Sequence, residues 1–199
     1  MRPRLHTDEQ ILTVARACIL EHGPAVSTAH IATELGLSQA TLFKRFGSKE
    51  ALLVRALLPA DHAGVVPWLE AGPSSAPLSD QLHELGTALL HLFDQVLPCV
   101  MMLRASNERA AQVALRDPNR GPIRLQRAAE DWFGRAAARG LIGATPATVA
   151  ASAFVGALRS RVFTSHLLGQ RRDPEEDAAF LASLSRLLCF GISPPPEPQ

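Results

Sequence analysis

Tyrosine is absent from this chain of 199 residues, and aromatic residues of all kinds make up only 5% of it. A β-sandwich, whose sheets lean on cross-strand aromatic pairs, is therefore not expected. Cysteine is scarce as well. Cys18, Cys99 and Cys189 are too few, odd in number and too far apart for a disulfide framework. Each sits in an apolar helical run, where a buried thiol is expected. Charge of one sign is also lacking: the net charge is +1, so any affinity for nucleic acid must come from a local patch. Lysine is nearly missing, because only Lys44 and Lys49 of the 20 basic residues are not arginine. The start, "MRPRLHTDEQ", has no apolar middle of the signal-peptide kind, and no uninterrupted apolar run reaches membrane-spanning length. A cytoplasmic location is the expectation.

Catalytic patterns are missing too. His83 and His91 fall on one predicted helix, with His62, Cys99 and His166 elsewhere. No His-x3-His pair, Cys-x2-Cys pair or Glu-x-x-His motif joins them, so no metal site is predicted. Asp94 lies close enough to His91 in sequence to orient it, but no activated serine or cysteine motif accompanies the two. The expectation is a protein that is not an enzyme and carries no cofactor.

What the chain does have is helix. With 47% hydrophobic and 20% charged residues it can build a real apolar core. Thr7-Asp8-Glu9-Gln10 is a capping box, and Ile11, Val14, Ala15, Cys18 and Ile19 follow at helical spacing until Gly23-Pro24. Ser27 caps a short second helix, Thr28 to Leu35, with Ile31, Ala32 and Leu35 inward. Gly36 supplies a turn that needs positive φ, and Leu37 returns to the core. Ser38 caps a third helix from about Gln39 to Phe46; Gly47 breaks it, and Ser48 caps a fourth that runs towards Leu58.

The segment 59–79 is rich in Pro, Gly, Ala and Ser and marks the best boundary, although Val65, Val66, Trp68 and Leu69 have the means to pack locally. Beyond it the pattern predicts an amphipathic helix from Asp80 to about Leu97 and a shorter one after Pro98. The loop "LRDPNRGP" precedes a helix from Arg124 to Gly140. Two long helices close the chain: Pro146 to about Leu168, with Thr145 as cap, and Asp173 to about Phe190. The tail "SPPPEPQ" cannot form helix and is expected to be disordered. The expected fold is all-α, with about nine helices, no strand and no repeat. Its domains would be 1–55, 56–192 and the tail 193–199.

The stretch Leu35–Leu53, "LGLSQATLFKRFGSKEALL", carries the function. Two short helices joined by Leu-Gly-Leu-Ser have the length and turn of a helix-turn-helix. With Leu42 and Phe46 inward, a turn of 100° per residue points Ala40 and Lys44 most directly away, flanked by Thr41 and Phe43. Small Ala40 permits close approach, Thr41 can bond a base or offer a methyl to thymine, and Lys44 reaches a base acceptor or a phosphate. Ser38 and Gln39 stand at the helix start, where base edges are met, and Gln suits adenine. Lys49 and the free N–H groups after Ser48 form a phosphate clamp.

From Ile11 to Leu53 the chain resembles the DNA-binding domain of the TetR family of bacterial transcriptional regulators. The resemblance rests on Ala15, Gly23, Ser27-Thr28, Ile31-Ala32, Gly36, Ser38, Thr41-Leu42, Phe46, Ser48-Lys49 and Glu50-Ala51-Leu52. It implies DNA contacts from Ser27 and Thr28, from Ser38, Gln39, Ala40 and Thr41, and from Phe43, Lys44 and Lys49. Phe43 departs from the family's usual tyrosine and forgoes one phosphate hydrogen bond worth about 0.5–1.5 kcal/mol. Arg45 either replaces that contact or pairs with Glu50.

The resemblance further implies a homodimer on double-stranded DNA, with the last two helices forming an intersubunit four-helix bundle. Gly156 and its neighbouring alanines allow the close approach such a bundle needs. It also implies a pocket for a small-molecule effector among the middle helices. Candidate lining residues are Phe93, Met101, Met102, Trp132, Phe133, Phe154 and Phe163, with His91 or Arg104 as polar handles, which suits a hydrophobic ligand. A ligand-responsive repressor on a palindromic operator is the leading expectation. The alternative is a protein-interaction module that keeps the helix-turn-helix fold without binding DNA.

Overall fold

The structure, a computed structural model, describes residues 6–23, 25–58, 64–106, 108–118, 121–143 and 145–191. Among these residues there are ten helices and no strand, so the fold is all-α as expected. The helices are α1 Asp8–His22, α2 Thr28–Glu34, α3 Gln39–Phe46, α4 Lys49–Leu57, α5 Val65–Ala71, α6 Leu78–Ser106, α7 Glu108–Leu115, α8 Gly121–Ala138, α9 Ala147–Leu167 and α10 Pro174–Phe190. The tail 193–199 lies outside the described residues. The chain divides into two compact units, Met1–Ala60 with Pro98–Gly121, and Asp61–Leu97 with Pro122–Gln199. Residues 98–121, which the sequence pattern assigns to the second domain, thus group with the first unit.

In the first unit, local chemistry sets the ends of each helix. Thr7 Oγ1 accepts from the Gln10 N–H at 3.2 Å, and the Thr7 N–H donates to Gln10 Oε1 at 2.8 Å, which completes the capping box of α1. Gly36 takes φ +61° after α2. Its N–H donates to the Thr33 carbonyl at 3.0 Å and the Leu37 N–H to that of Ala32 at 2.8 Å, the paired closure that satisfies the last carbonyls of a helix. The core unites Ile11, Ala15, Cys18 and Ile19 of α1, Ile31 and Ala32 of α2, Leu42 and Phe46 of α3, and Leu52, Leu53, Ala56 and Leu57 of α4. Within the same unit α7 packs on α4.

The second unit is built around α6, whose Leu82, Leu85, Leu89, Leu90 and Phe93 are buried with Trp132 and Phe133 of α8, Phe154 and Leu158 of α9, and Leu181 of α10. By length and composition alone Leu78–Ala105 would suffice to cross a membrane. Of that stretch, Leu82, Leu85, Leu89, Leu90, Leu92 and Phe93 are buried in this core. In the segment 59–79, residues 59–63 lie outside the described residues; Val65, Val66 and Leu69 form the buried face of α5.

Three sequence expectations need correction. The helices expected on either side of Pro98 are one continuous helix, α6. A proline interrupts a single backbone hydrogen bond and crowds one carbonyl, and long apolar packing on both sides can outweigh that. α8 begins at Gly121 rather than Arg124, because Pro122 fits the first turn of a helix, where its missing N–H is not needed. The cap position of α9 belongs to Pro146, with no side-chain hydrogen bond, while the Thr145 N–H is tied back to the Gly143 carbonyl at 2.8 Å.

α6 and α10 meet tightly at Gly86, where an added Cβ would collide with Leu181 Cδ2. Gly86→Ala is expected to lower stability by about 1–3 kcal/mol through overpacking. Thermal unfolding of Gly86→Ala and of the double variant with Leu181→Ala checks this. The second change should not add its full cost to the first if the collision is the cause.

Candidate nucleic-acid interface

α3 is an eight-residue helix with two buried residues, Leu42 and Phe46, which fix its inward side. The opposite side is presented to solvent: Ser38, Gln39, Ala40, Phe43 and Lys44 are exposed and Thr41 is half-buried. Phe43 remains 39% exposed, an unusual position for an aromatic ring on a polar helix. Ser38 Oγ accepts from the Thr41 N–H at 3.2 Å and also lies 2.8 Å from Thr41 Oγ1. Cap and candidate base-reader therefore share one hydrogen-bonded cluster.

Around this helix the predicted contact residues fall into distinct settings. Ser27 is exposed and caps α2, its Oγ accepting from the His30 N–H at 3.0 Å. Thr28 is buried at 4% exposure, which the sequence pattern did not reveal. Gln39 Nε2 donates to Thr28 Oγ1 at 2.6 Å, so those two predicted residues meet each other. Lys49, at the first position of α4, donates from Nζ to the Ala25 carbonyl at 3.3 Å, which brings its ammonium towards the start of α2. The starts of α2 and α4 and the length of α3 from Ser38 to Lys44 thus carry the predicted DNA-contacting residues.

Arg45 does not pair with Glu50. Its Nη2 lies 2.7 Å from Asp8 Oδ1 and its Nη1 donates to the His6 carbonyl at 2.9 Å. His6 Nε2 in turn donates to the Leu35 carbonyl at 2.9 Å. Arg55 joins the same carboxylate, Nη2 to Asp8 Oδ2 at 3.6 Å, and stacks its guanidinium 4.8 Å from the centre of the Phe46 ring. Asp8 and His6 were not picked out as supports of this face; no local spacing relates them to residues nearly forty positions later.

Glu50, free of Arg45, is held below the usual carboxylate range by its own backbone N–H and then by the Ser48 hydroxyl, with Lys49 adding a smaller attraction. Ser48 Oγ also accepts from the Ala51 N–H at 3.1 Å and caps α4.

The predicted effector residues are not all brought together. Phe93, Trp132, Phe133 and Phe154 meet in the core of the second unit. Trp132 stands edge-on to Phe133 with ring centres 5.1 Å apart, and Phe133 edge-on to Phe154 at 6.1 Å. Met101 and Met102 belong to the first unit, Met101 exposed and Met102 half-buried, and Phe163 is exposed on α9. Arg104 is exposed in the first unit. His91 lies instead on a cleft of about 830 Å³ with His83, Asp94, His166, Arg171 and Arg172. Among the described residues no group of three or more His, Cys, Asp or Glu is placed to hold a metal ion.

The family model described as bacterial regulatory proteins, tetR family, matches residues 11–56. That of the AefR-like transcriptional repressor C-terminal domain matches residues 80–183. Curated proteins offer no matching relative. Among solved structures, FadR of Bacillus subtilis in complex with stearoyl-CoA is 20% identical, covering 94% of this chain and 100% of its own, with a TM-score of 0.69. GusR of Salmonella enterica is 23% identical over 90% of this chain and 93% of its own, TM-score 0.68. The regulator PfmR of Thermus thermophilus is 22% identical over 93% and 100%, TM-score 0.61. At these identities the structures establish a shared fold.

Removing the α4 cap tests the local electrostatics. Ser48→Ala should cost about 1 kcal/mol of stability through the lost cap. It should also let the Glu50 carboxyl rise back towards its ordinary value. Because the folded-state value is depressed, Glu50 favours folding above its unfolded titration range, and that contribution disappears as pH falls through the folded value. A carbon-detected NMR titration of Glu50 in wild type and variant checks the shift.

Proposed function

The chain belongs to the TetR family of bacterial transcriptional regulators, and from that premise we propose that it is a ligand-responsive repressor of a palindromic operator. It acts in the cytoplasm as a homodimer and leaves the DNA when a small hydrophobic effector binds. The observation that carries the DNA-binding half is the two-sided α3. Leu42 and Phe46 anchor it, while Ala40, Thr41, Phe43 and Lys44 are left on its outer side. A helix of that shape enters a major groove, with Ser27 and Lys49 on the flanking phosphates.

One such helix reads too few bases for useful genomic selectivity, so two copies on half-sites about one helical turn apart are required. The last two helices support that arrangement. Phe163, Leu167 and Leu168 at the end of α9 and Leu187 and Phe190 on α10 are exposed, and a Cβ built on Gly156 meets nothing in its own chain. Covering such a surface with a second copy removes it from water.

For the effector, the supporting observation is Trp132. Its ring is fully buried among aromatic neighbours, yet Nε1–H has no acceptor among the described residues. A buried donor without a partner is costly, and an apolar ligand carrying one acceptor oxygen would satisfy it. FadR of Bacillus subtilis, the neighbour solved with stearoyl-CoA, shows that this fold can take a ligand with a long apolar chain. The ligand shifts the protein off DNA only by its difference in affinity between the two states.

The test is fluorescence anisotropy on a labelled duplex from the DNA flanking the gene, against a scrambled duplex, across a salt series. Two chains per specific duplex are expected, with affinity falling as salt rises. Lys44→Ala should weaken binding to all sequences and flatten the salt slope by about one unit. Thr41→Ala should change base preference with folding intact. Wild-type behaviour of both variants would mean that another face reads the DNA.

A further inference from the structure

We propose that Gln39 is a positioning residue, clamped to Thr28 so that α2 holds the recognition helix α3 at a fixed angle, and that it does not read a base. This rests on the DNA-binding reading of α3 and assigns one of its residues a different task. Sequence alone puts Gln39 at the start of the helix, where glutamine suits the adenine edge. A glutamine reads adenine by turning both ends of its amide to the base, Oε1 to the amino group and Nε2 to the ring nitrogen. In this structure Nε2 is already engaged with Thr28 Oγ1 at 2.6 Å. That hydroxyl belongs to a residue of 4% exposure at the first position of α2.

The two residues are unequal partners. Gln39 is exposed and has water as an alternative, whereas Thr28, at 4% exposure, has little access to water. Swinging the amide out to a base edge would strip a buried polar atom of its partner, a penalty that water does not refund. The bond also spans the turn. It ties the first residue of α2 to the first residue of α3, while the Gly36 closure and the His6 contact to the Leu35 carbonyl fix the far end of α2. With both ends of α2 tied, the angle of α3 is set before DNA arrives. Ser38 and Thr41 share a second hydrogen bond at the start of α3, and Ala40, Thr41, Phe43 and Lys44 remain on its outer side.

The full-length protein tests this with four variants: Gln39→Ala, Thr28→Val, the double variant and Thr28→Ser. Affinity is measured for the operator duplex and for each single-base variant of it. Gln39→Ala and Thr28→Val should each lose about three- to tenfold on every duplex alike. The double variant should lose no more than either, and Thr28→Ser, which keeps the hydroxyl, should stay within about twofold of wild type. Relaxed preference at one operator position in Gln39→Ala but not in Thr28→Val would overturn the proposal, as would losses that multiply. The same cycle read by thermal unfolding of the free protein needs no DNA. If the wild type bound no duplex at all, the regulator reading would fall. Non-additive melting losses would then still support the clamp, and additive ones would refute it.

Discussion

A helix of eight residues does not hold itself. Isolated helices so short are unstable in water, since nucleation fixes several residues for very few hydrogen bonds. α3 therefore exists because Leu42 and Phe46 are buried against the rest of the first unit. Two inward residues are the least that can seat such a helix, and that economy leaves most of its side chains for outside work. The other features of the unit compensate for the brevity. A serine caps one end, a glycine at φ +84° stops the other, and Arg45 ties the middle to Asp8 and His6.

Much of this was legible in the residues because punctuation in sequence is local. Ser38 and Gly47 bound α3, Thr7 and Gln10 start α1, and Gly36 turns α2 into α3; each acts on backbone groups within a few positions of itself. What stayed hidden is what joins distant parts of the chain. Arg45 has Glu50 five residues away, yet the carboxylate it meets is Asp8, because α1 and α3 share a core that no spacing rule describes. The family resemblance implies a DNA contact from Thr28, and its burial depends on how the helices pack. Pro98 misled for the opposite reason. Its local preference is strong, but the packing of α6 is stronger.

The aromatic residues of the second unit show a limit of a different kind. An apolar side chain at helical spacing is equally at home in a core, a pocket or a subunit interface. Phe154 and Phe163 lie on the same helix nine residues apart, which at 100° per residue is half a turn. The structure buries one and exposes the other accordingly. Periodicity therefore separates the two faces of α9, one turned to its own core and one exposed, once the second face is asked for. No periodicity marks the Trp132 Nε1–H as lacking an acceptor among the described residues, since that depends on what the neighbouring helices place opposite it.

Charge completes the account of the proposed DNA face. The net charge of +1 supplies almost no long-range pull on a polyanion. Arg45 and Arg55 both converge on Asp8, whose single carboxylate offsets one of their two charges. They work as struts, stacking and pairing inside the unit rather than facing outward. The positive charge left on the outer surface of α3 and the start of α4 is that of Lys44 and Lys49. An ammonium on a flexible stem suits this division of labour, since it can follow a phosphate without geometric demand, whereas the planar fork of arginine is better used where its partner is fixed.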